Sequence, residues 1–184
     1  SDTPNPINTY GKSKLLGEKE VLKSNKNIVL RTSWLYSPYG KNFVKTMIKL
    51  HDLKYKSNET LKVVADQIGC PTSCSSLANA CWAIVLNKNV FKTNIFQWSD
   101  YGVASWYDFS VAIGELARDK GIIKNNAEVE PIKTLDFPTP AQRPKFSLMS
   151  CEDTYKELNL KTSHWRVSLS HALDQLKDGK FLEI

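Results

Sequence analysis

With 184 residues, the chain is long enough to bury a substantial core as one domain. Hydrophobic residues make up 41% and charged residues 24%, close to globular averages; this excludes a disordered chain, and no apolar run is long enough for a membrane span. The net charge is +6, yet 21 of the 25 basic residues are scattered lysines and only 4 are arginines; this argues against nucleic-acid binding and suits an anionic small-molecule substrate.

In chain order, residues 8–24 repeat as a helix directly after a Pro4-Asn5-Pro6 loop, and 27–31 form a short apolar run of strand type. Residues 41–55 place Phe43, Val44, Met47 and Ile48 at helical intervals, with Asn42 ahead of them. A strand at 61–64 is ended by the Ile68-Gly69 and Cys70-Pro71 breakers, and an apolar helix follows over 75–86 with Ser76 as its cap. A strand at 94–98 precedes Tyr101-Gly102 and a helix over 105–120. There Ser105, with Asp108 three residues on, resembles a capping box with Asp in place of Glu. Residues 131–135 read as a last strand, and three prolines exclude helix from 138–144. Helices over 151–158 and 168–176 close the chain. Strands alternating with helices predict an α/β fold with a parallel sheet.

Within the first helix, Tyr10 and Lys14 lie four positions apart, so both project from one face. A phenol beside an ammonium is a proton-transfer pair, because a neighbouring cation favours the phenolate. Composition alone yields about 0.8 such spacings in a chain like this, so the flanking residues must decide. Cys70, Cys74, Cys81 and Cys151 show no metal-ligand spacing, and without a secretion signal they are expected as reduced, mostly buried thiols. His51, His164 and His171 are expected in solvated or capping roles.

Four segments carry a resemblance. Asn8-Thr9-Tyr10-Gly11-Lys12-Ser13-Lys14-Leu15-Leu16-Gly17-Glu18 resembles the active-site helix of extended short-chain dehydrogenase/reductases. Leu30-Arg31-Thr32-Ser33-Trp34-Leu35-Tyr36, Val63-Val64-Ala65-Asp66-Gln67-Ile68-Gly69-Cys70-Pro71-Thr72 and Phe137-Pro138-Thr139-Pro140-Ala141-Gln142-Arg143-Pro144 are similar to one branch, the dTDP-4-dehydrorhamnose reductases. The segments follow the family's order. The resemblance implies that Tyr10 exchanges a proton with the substrate oxygen and that Lys14 holds the nicotinamide ribose. It also implies reduction of the C4 ketone of a TDP-6-deoxy-4-keto-L-hexose to TDP-L-rhamnose or a relative, with NADPH or NADH.

A dinucleotide fold needs a glycine-rich strand-to-helix turn, and the 8 glycines of this chain are dispersed. The expectation is therefore the C-terminal part of a Rossmann-like doubly wound parallel sheet plus a small mixed α/β substrate-binding portion, lacking about a hundred residues of cofactor domain. On that reading, residues 1–60 finish the Rossmann-like domain and 61–184 are mainly substrate-binding, with interleaved segments. The 184-residue chain alone is expected to be inactive. The resemblance extends to two further classes: a non-catalytic subunit, as in the regulatory subunit of methionine adenosyltransferase, and a sugar-nucleotide epimerase or dehydratase. The lack of a signal peptide points to the cytoplasm. The partners implied are a TDP-sugar substrate and, as an open possibility, a second copy in a homodimer.

Ligands in doubly wound sheets gather beyond the carboxyl ends of strands, which singles out Thr32, Ser33 and Trp34; the resemblance implies that Thr32 and Ser33 face the cofactor and that Trp34 contacts the sugar. Trp34 offers an apolar wall with one N–H donor. Asn42 either donates to a phosphate near a helix N-terminus or simply caps it. Gln67 sits in a turn that the family places at the nucleotide-sugar side. Arg143, in a rigid proline-framed loop, either clamps a diphosphate or pairs with a carboxylate to pin the loop. Trp106 and Tyr107 are expected in the core. No metal site is expected.

Overall fold

A computed structural model describes residues 2–87 and 91–179. Helix α1 (Thr9–Val21) starts where the Asn8 side chain accepts the backbone N–H of Gly11 at 2.7 Å, satisfying an amide that would otherwise lack a partner. Strands β1 (Val29–Thr32) and β2 (Leu35–Tyr36) lead to α2 (Phe43–Lys56). Strands β3 (Leu61–Val64), β4 (Ile68–Gly69) and β5 (Thr72–Ser73) precede α3 (Cys74–Asn87), and β6 (Ile95–Trp98) and β7 (Ala104–Ser105) precede α4 (Trp106–Asp119). Strand β8 (Val129–Ile132), a short 3₁₀ turn (Thr134–Asp136), α5 (Glu152–Leu158) and α6 (Trp165–Asp178) complete the order.

The strands pair across long stretches of sequence. β1 runs parallel to β6, with Val29 opposite Ile95 and Thr32 opposite Trp98. β2 is parallel to β5 and β3 to β8, while β4 is antiparallel to β7. Helices cover these short ladders and form two cores. The larger packs Met47 and Ile48 of α2, Phe109 and Ile113 of α4, and Leu169 and Leu173 of α6 around Tyr36 and β3. The smaller joins Ala80 and Ile84 of α3 to Phe96 and Trp98 of β6 and Leu158 of α5. Along α4 the buried residues Phe109, Ala112, Ile113 and Ala117 recur at helical spacing, the stripe a core-facing helix needs.

The predicted helices and the longer strands are present, with boundaries moved by identifiable side chains. The capping box at α4 forms: Ser105 accepts the Asp108 amide while the Asp108 carboxylate accepts the Ser105 amide. Helix α3 begins earlier than expected, because Ser73 rather than Ser76 supplies the capping oxygen, accepting the Ser76 amide at 3.0 Å. Helix α6 begins at Trp165 rather than 168, because the His164 ring accepts the Arg166 amide at 3.2 Å. The last strand runs Val129–Ile132 rather than 131–135. It stops where the Asp66 carboxylate takes the Thr134 amide, and Pro131 is accommodated in a strand that pairs on one side only.

His51 corrects the expectation of a solvated or capping histidine. It is fully buried, and its Nε2 lies 3.0 Å from the Ser110 carbonyl. The close approach depends on Gly114, where an added Cβ would sit 2.5 Å from the His51 ring. Burial pushes the His51 pKa down, opposed in part by hydrogen bonding. The cysteines are free thiols, of which Cys70 and Cys151 are buried, Cys74 is half-buried and Cys81 is exposed.

Candidate active site

Helix α1 buries none of its residues; instead it flanks a cleft of about 1110 Å³. Tyr10 and Lys14, one turn apart, line this cleft with Thr32, Ser33 and Trp34 from the end of β1, Gln67 after β3, Trp106 at the start of α4, and Arg143. Two ties hold α1 in place. Arg31 in β1 donates to both Glu18 carboxylate oxygens, at 2.8 and 2.5 Å, a bidentate geometry in which each charge favours the other. The Arg31 hydrogen bond accordingly holds the Glu18 pKa down, and that of Arg31 rises. The Asn8 amide donates to the Gln142 carbonyl at 2.7 Å, which draws the proline-framed loop to the start of the helix.

A second pocket, of about 880 Å³, shares Gln67, Trp106 and Arg143 with the first. Its walls are largely apolar: Phe43, Met47 and Leu50 from α2, with Leu61 and Val63 from β3. Arg31, Arg118 and Arg166 are each paired with a carboxylate. Arg143 is exposed and makes no ion pair among the described residues. Arg143 lines both pockets.

The turn after β3 is anchored from a distance. The Asp66 carboxylate accepts the Thr134 hydroxyl at 2.6 Å and its amide at 2.8 Å, and the hydroxyl bond is the main reason its pKa lies below the usual carboxylate range. Gln67 donates one amide N–H to the same hydroxyl at 3.1 Å, which leaves its second N–H and its amide oxygen outside that bond. The Asn42 side chain caps α2 by accepting the Lys45 amide and donates to the Ser37 and Tyr39 carbonyls. It lines neither pocket.

Trp34 differs from expectation in one respect. Its indole N–H is already donated to the Ser147 hydroxyl at 3.1 Å, so it offers the cleft a ring surface rather than a donor. Trp106, expected in the core, is only half-buried and stacks on Trp34 with ring centroids 3.6 Å apart and planes 4° from parallel. Ser147, Trp106 and Asn8 are the site residues that the sequence did not disclose. A tryptophan one position after a helix cap reads as core, and neither the serine nor the asparagine carries a signal of its own.

The Thr32 hydroxyl is buried without a hydrogen-bond partner among the described residues, next to exposed Tyr10 and Lys14 on the same cleft. A hydroxyl, a phenol and an ammonium are groups that can hydrogen-bond the ribose and nicotinamide end of a dinucleotide; its pyrophosphate end needs a glycine-rich turn. Cys70 is no nucleophile: its thiol donates to the Asp100 carbonyl at 2.9 Å, and burial pushes its pKa up to about 12. Among the described residues no group of three or more His, Cys, Asp or Glu could hold a metal ion, and no helix is long and apolar enough to cross a membrane.

Comparison with known proteins places these features. Residues 1–178 match the family model described as the RmlD substrate binding domain. The dTDP-4-dehydrorhamnose reductase of Sinorhizobium fredii is 37% identical over 172 residues, which cover 91% of this chain and 56% of that protein. A dTDP-4-dehydrorhamnose reductase structure from Clostridium acetobutylicum superposes with a TM-score of 0.81 at 39% identity, covering 96% of this chain and 58% of that one. The Bacillus anthracis enzyme, solved in complex with NADP, superposes with a TM-score of 0.80 at 34% identity, with 95% and 58% covered. The chain thus spans less than three-fifths of these relatives and matches their C-terminal part. Its short parallel ladders and flanking helices have the Rossmann-like fold of those reductases. The chain belongs to the RmlD substrate binding domain family, and the relatives it matches carry the name dTDP-4-dehydrorhamnose reductase.

Proposed function

We propose that this chain is the substrate-binding and proton-donating part of a reductase that converts the C4 ketone of a TDP-6-deoxy-4-keto-L-hexose to the alcohol, forming TDP-L-rhamnose or a close relative. The observation that carries the reading is the meeting of two pockets at Gln67, Trp106 and Arg143, with Tyr10 and Lys14 in one and apolar walls in the other. A nucleoside diphosphate sugar has that division: an apolar base, a doubly charged centre and a polar sugar. The base takes the pocket of Phe43, Met47 and Val63, the diphosphate takes the Arg143 guanidinium, and the sugar lies against Trp34 with its C4 oxygen at Tyr10.

The nicotinamide, NADPH or NADH, supplies the hydride for C4 when bound. The residues of this chain do the rest. Tyr10 gives its phenolic proton to the ketone oxygen as negative charge develops there. Lys14 holds the ribose hydroxyls, with Thr32 and Ser33 completing that wall. Trp34 excludes water from one face of the sugar. On this reading residues 1–60 finish the cofactor domain, residues 61–184 mainly hold the sugar nucleotide, and Asn42 serves as a helix cap that sets the entrance to α2. The reading also puts the protein in the cytoplasm and leaves homodimerisation to be read from the mass of the intact assembly in solution.

Stoichiometry tests this reading. The intact protein, mixed with a TDP-4-keto-6-deoxy-L-hexose and NADPH or NADH, is expected to consume one nicotinamide per sugar reduced, and the 184-residue chain alone none. Conversion of a TDP-sugar without net nicotinamide consumption would indicate an epimerase or dehydratase. Binding without turnover, with a co-purifying enzyme, would indicate a regulatory subunit.

A further inference from the structure

We propose that Trp106 is a positioning residue that acts through Trp34, and that Gly69 and Ser147 complete a clamp fixing the Trp34 ring plane against the sugar. The inference rests on the reductase reading and extends it to a residue that the reaction chemistry does not itself require.

Four independent features converge on one side chain. Trp34 has φ of +49°, a left-handed conformation that costs a bulky residue energy and persists only where its surroundings enforce it. Trp106 covers one face of the indole in a near-parallel stack. Ser147 accepts the indole N–H and donates its own hydroxyl to the Ile68 carbonyl at 3.2 Å, so the acceptor is itself held. Gly69 lies close to the ring at Cε2 and Nε1: a Cβ there would stand 2.5 Å from Trp34 Cε2, 2.6 Å from Nε1 and 2.8 Å from the Ser147 hydroxyl. A strained backbone, a stacked face, an occupied N–H and a missing Cβ together leave the indole no second position. The clamp is drawn from four separate places in the chain, at the end of β1, in β4, at the start of α4 and in the loop after Arg143.

Trp34 and Trp106 pack against the larger core with one side and line the cleft with Tyr10 on another, so the restraint bears on the cleft wall as well as on core packing. A wall restrained in this way sets how the sugar ring is presented to the proton donor. Small misplacements of a reacting group cost up to about 10²-fold in rate.

The test is a double-mutant cycle on the intact protein, with kcat and KM measured separately for the keto-sugar and the nicotinamide. Trp106→Leu is expected to lower kcat about 10- to 100-fold, the scale of a misplaced reacting group, with KM for the nicotinamide changed less than about twofold. Trp106→Phe, which can still stack, should recover most of the loss. In a Trp34→Leu background the same Trp106→Leu change should cost less than about twofold, because the ring it positions is gone. Gly69→Ala should reproduce the kcat loss without touching Trp106. Ser147→Ala, a smaller change outside both cores, should give the same pattern more weakly if the larger variants fail to fold. An equal fold-loss from Trp106→Leu in both backgrounds, or a loss confined to KM, overturns the inference while leaving the reductase reading intact. A wild-type protein that consumes no nicotinamide with the keto-sugar overturns both.

Discussion

Helices α1 and α4 have 13 and 14 residues and are both capped by a side chain at their first turn, but they are held by opposite means. α4 buries Phe109, Ser110, Ala112, Ile113, Gly114 and Ala117, whereas α1 buries nothing. A helix of this length without tertiary burial is marginal in water, so α1 depends on the Asn8 cap, the Glu18–Arg31 pair and the bond from Asn8 to the Gln142 carbonyl. The contrast teaches where stability and chemistry are kept. The buried helix sets the scaffold, and the exposed one presents Tyr10 and Lys14 to the cleft.

The comparison can be broken from either side. The largest effect is expected at α1 in function: Tyr10→Phe in the intact protein removes the proton donor and should lower kcat about 10²–10⁴-fold, with unfolding unchanged. Steady-state nicotinamide oxidation and a denaturant titration read the two quantities. At α4 the order reverses. Phe109→Ala empties a site that is 1% exposed and should cost about 3–5 kcal/mol in urea unfolding. Ser105→Ala breaks the capping box and should cost about 1 kcal/mol. Leu16→Ala on the outward side of α1, where Leu16 is 63% exposed, should move the stability of this chain by no more than about 0.5 kcal/mol.

Acid separates the two regions as well. Burial lowers the His51 pKa in the folded chain, so below about pH 6.5 the unfolded state takes up a proton that the folded state resists. Stability is therefore full above that pH and declines as pH falls toward the folded value. Glu18 is also depressed, through its bond to Arg31; its contribution is present above about pH 4.3 and is lost as pH falls through the folded pKa. Unfolding free energy measured from pH 7.5 to 3.5 should show both declines, with His51→Asn flattening the upper and Glu18→Gln the lower.

Much of this organisation was legible in the sequence. Helices α2 and α4, of 14 residues each, repeat their apolar positions often enough to be read, and the Ser105–Asp108 box is a local signal that needs no tertiary information. Tyr10, Lys14, Thr32, Ser33, Trp34, Gln67 and Arg143, each singled out from motif and position, line one cleft. The rest depends on partners distant in the chain. Strands β2, β4, β5 and β7 have two residues each, too few to show a period. The Asp66–Thr134 bond spans 68 positions and the Trp34–Ser147 bond spans 113, so neither leaves a local trace. His51 looks like a surface histidine until Gly114 is seen to make room for it.

On the proposed reading one sugar nucleotide spans both pockets across Arg143, with its C4 carbon at Tyr10. The most direct measurement is a crystal structure of the intact protein with the TDP-L-rhamnose product. The thymine is expected among Phe43, Met47 and Val63, the diphosphate on Arg143, and the sugar against Trp34 with its C4 hydroxyl in hydrogen-bond reach of Tyr10. A product bound with its base at Tyr10, or held away from Arg143, would contradict it.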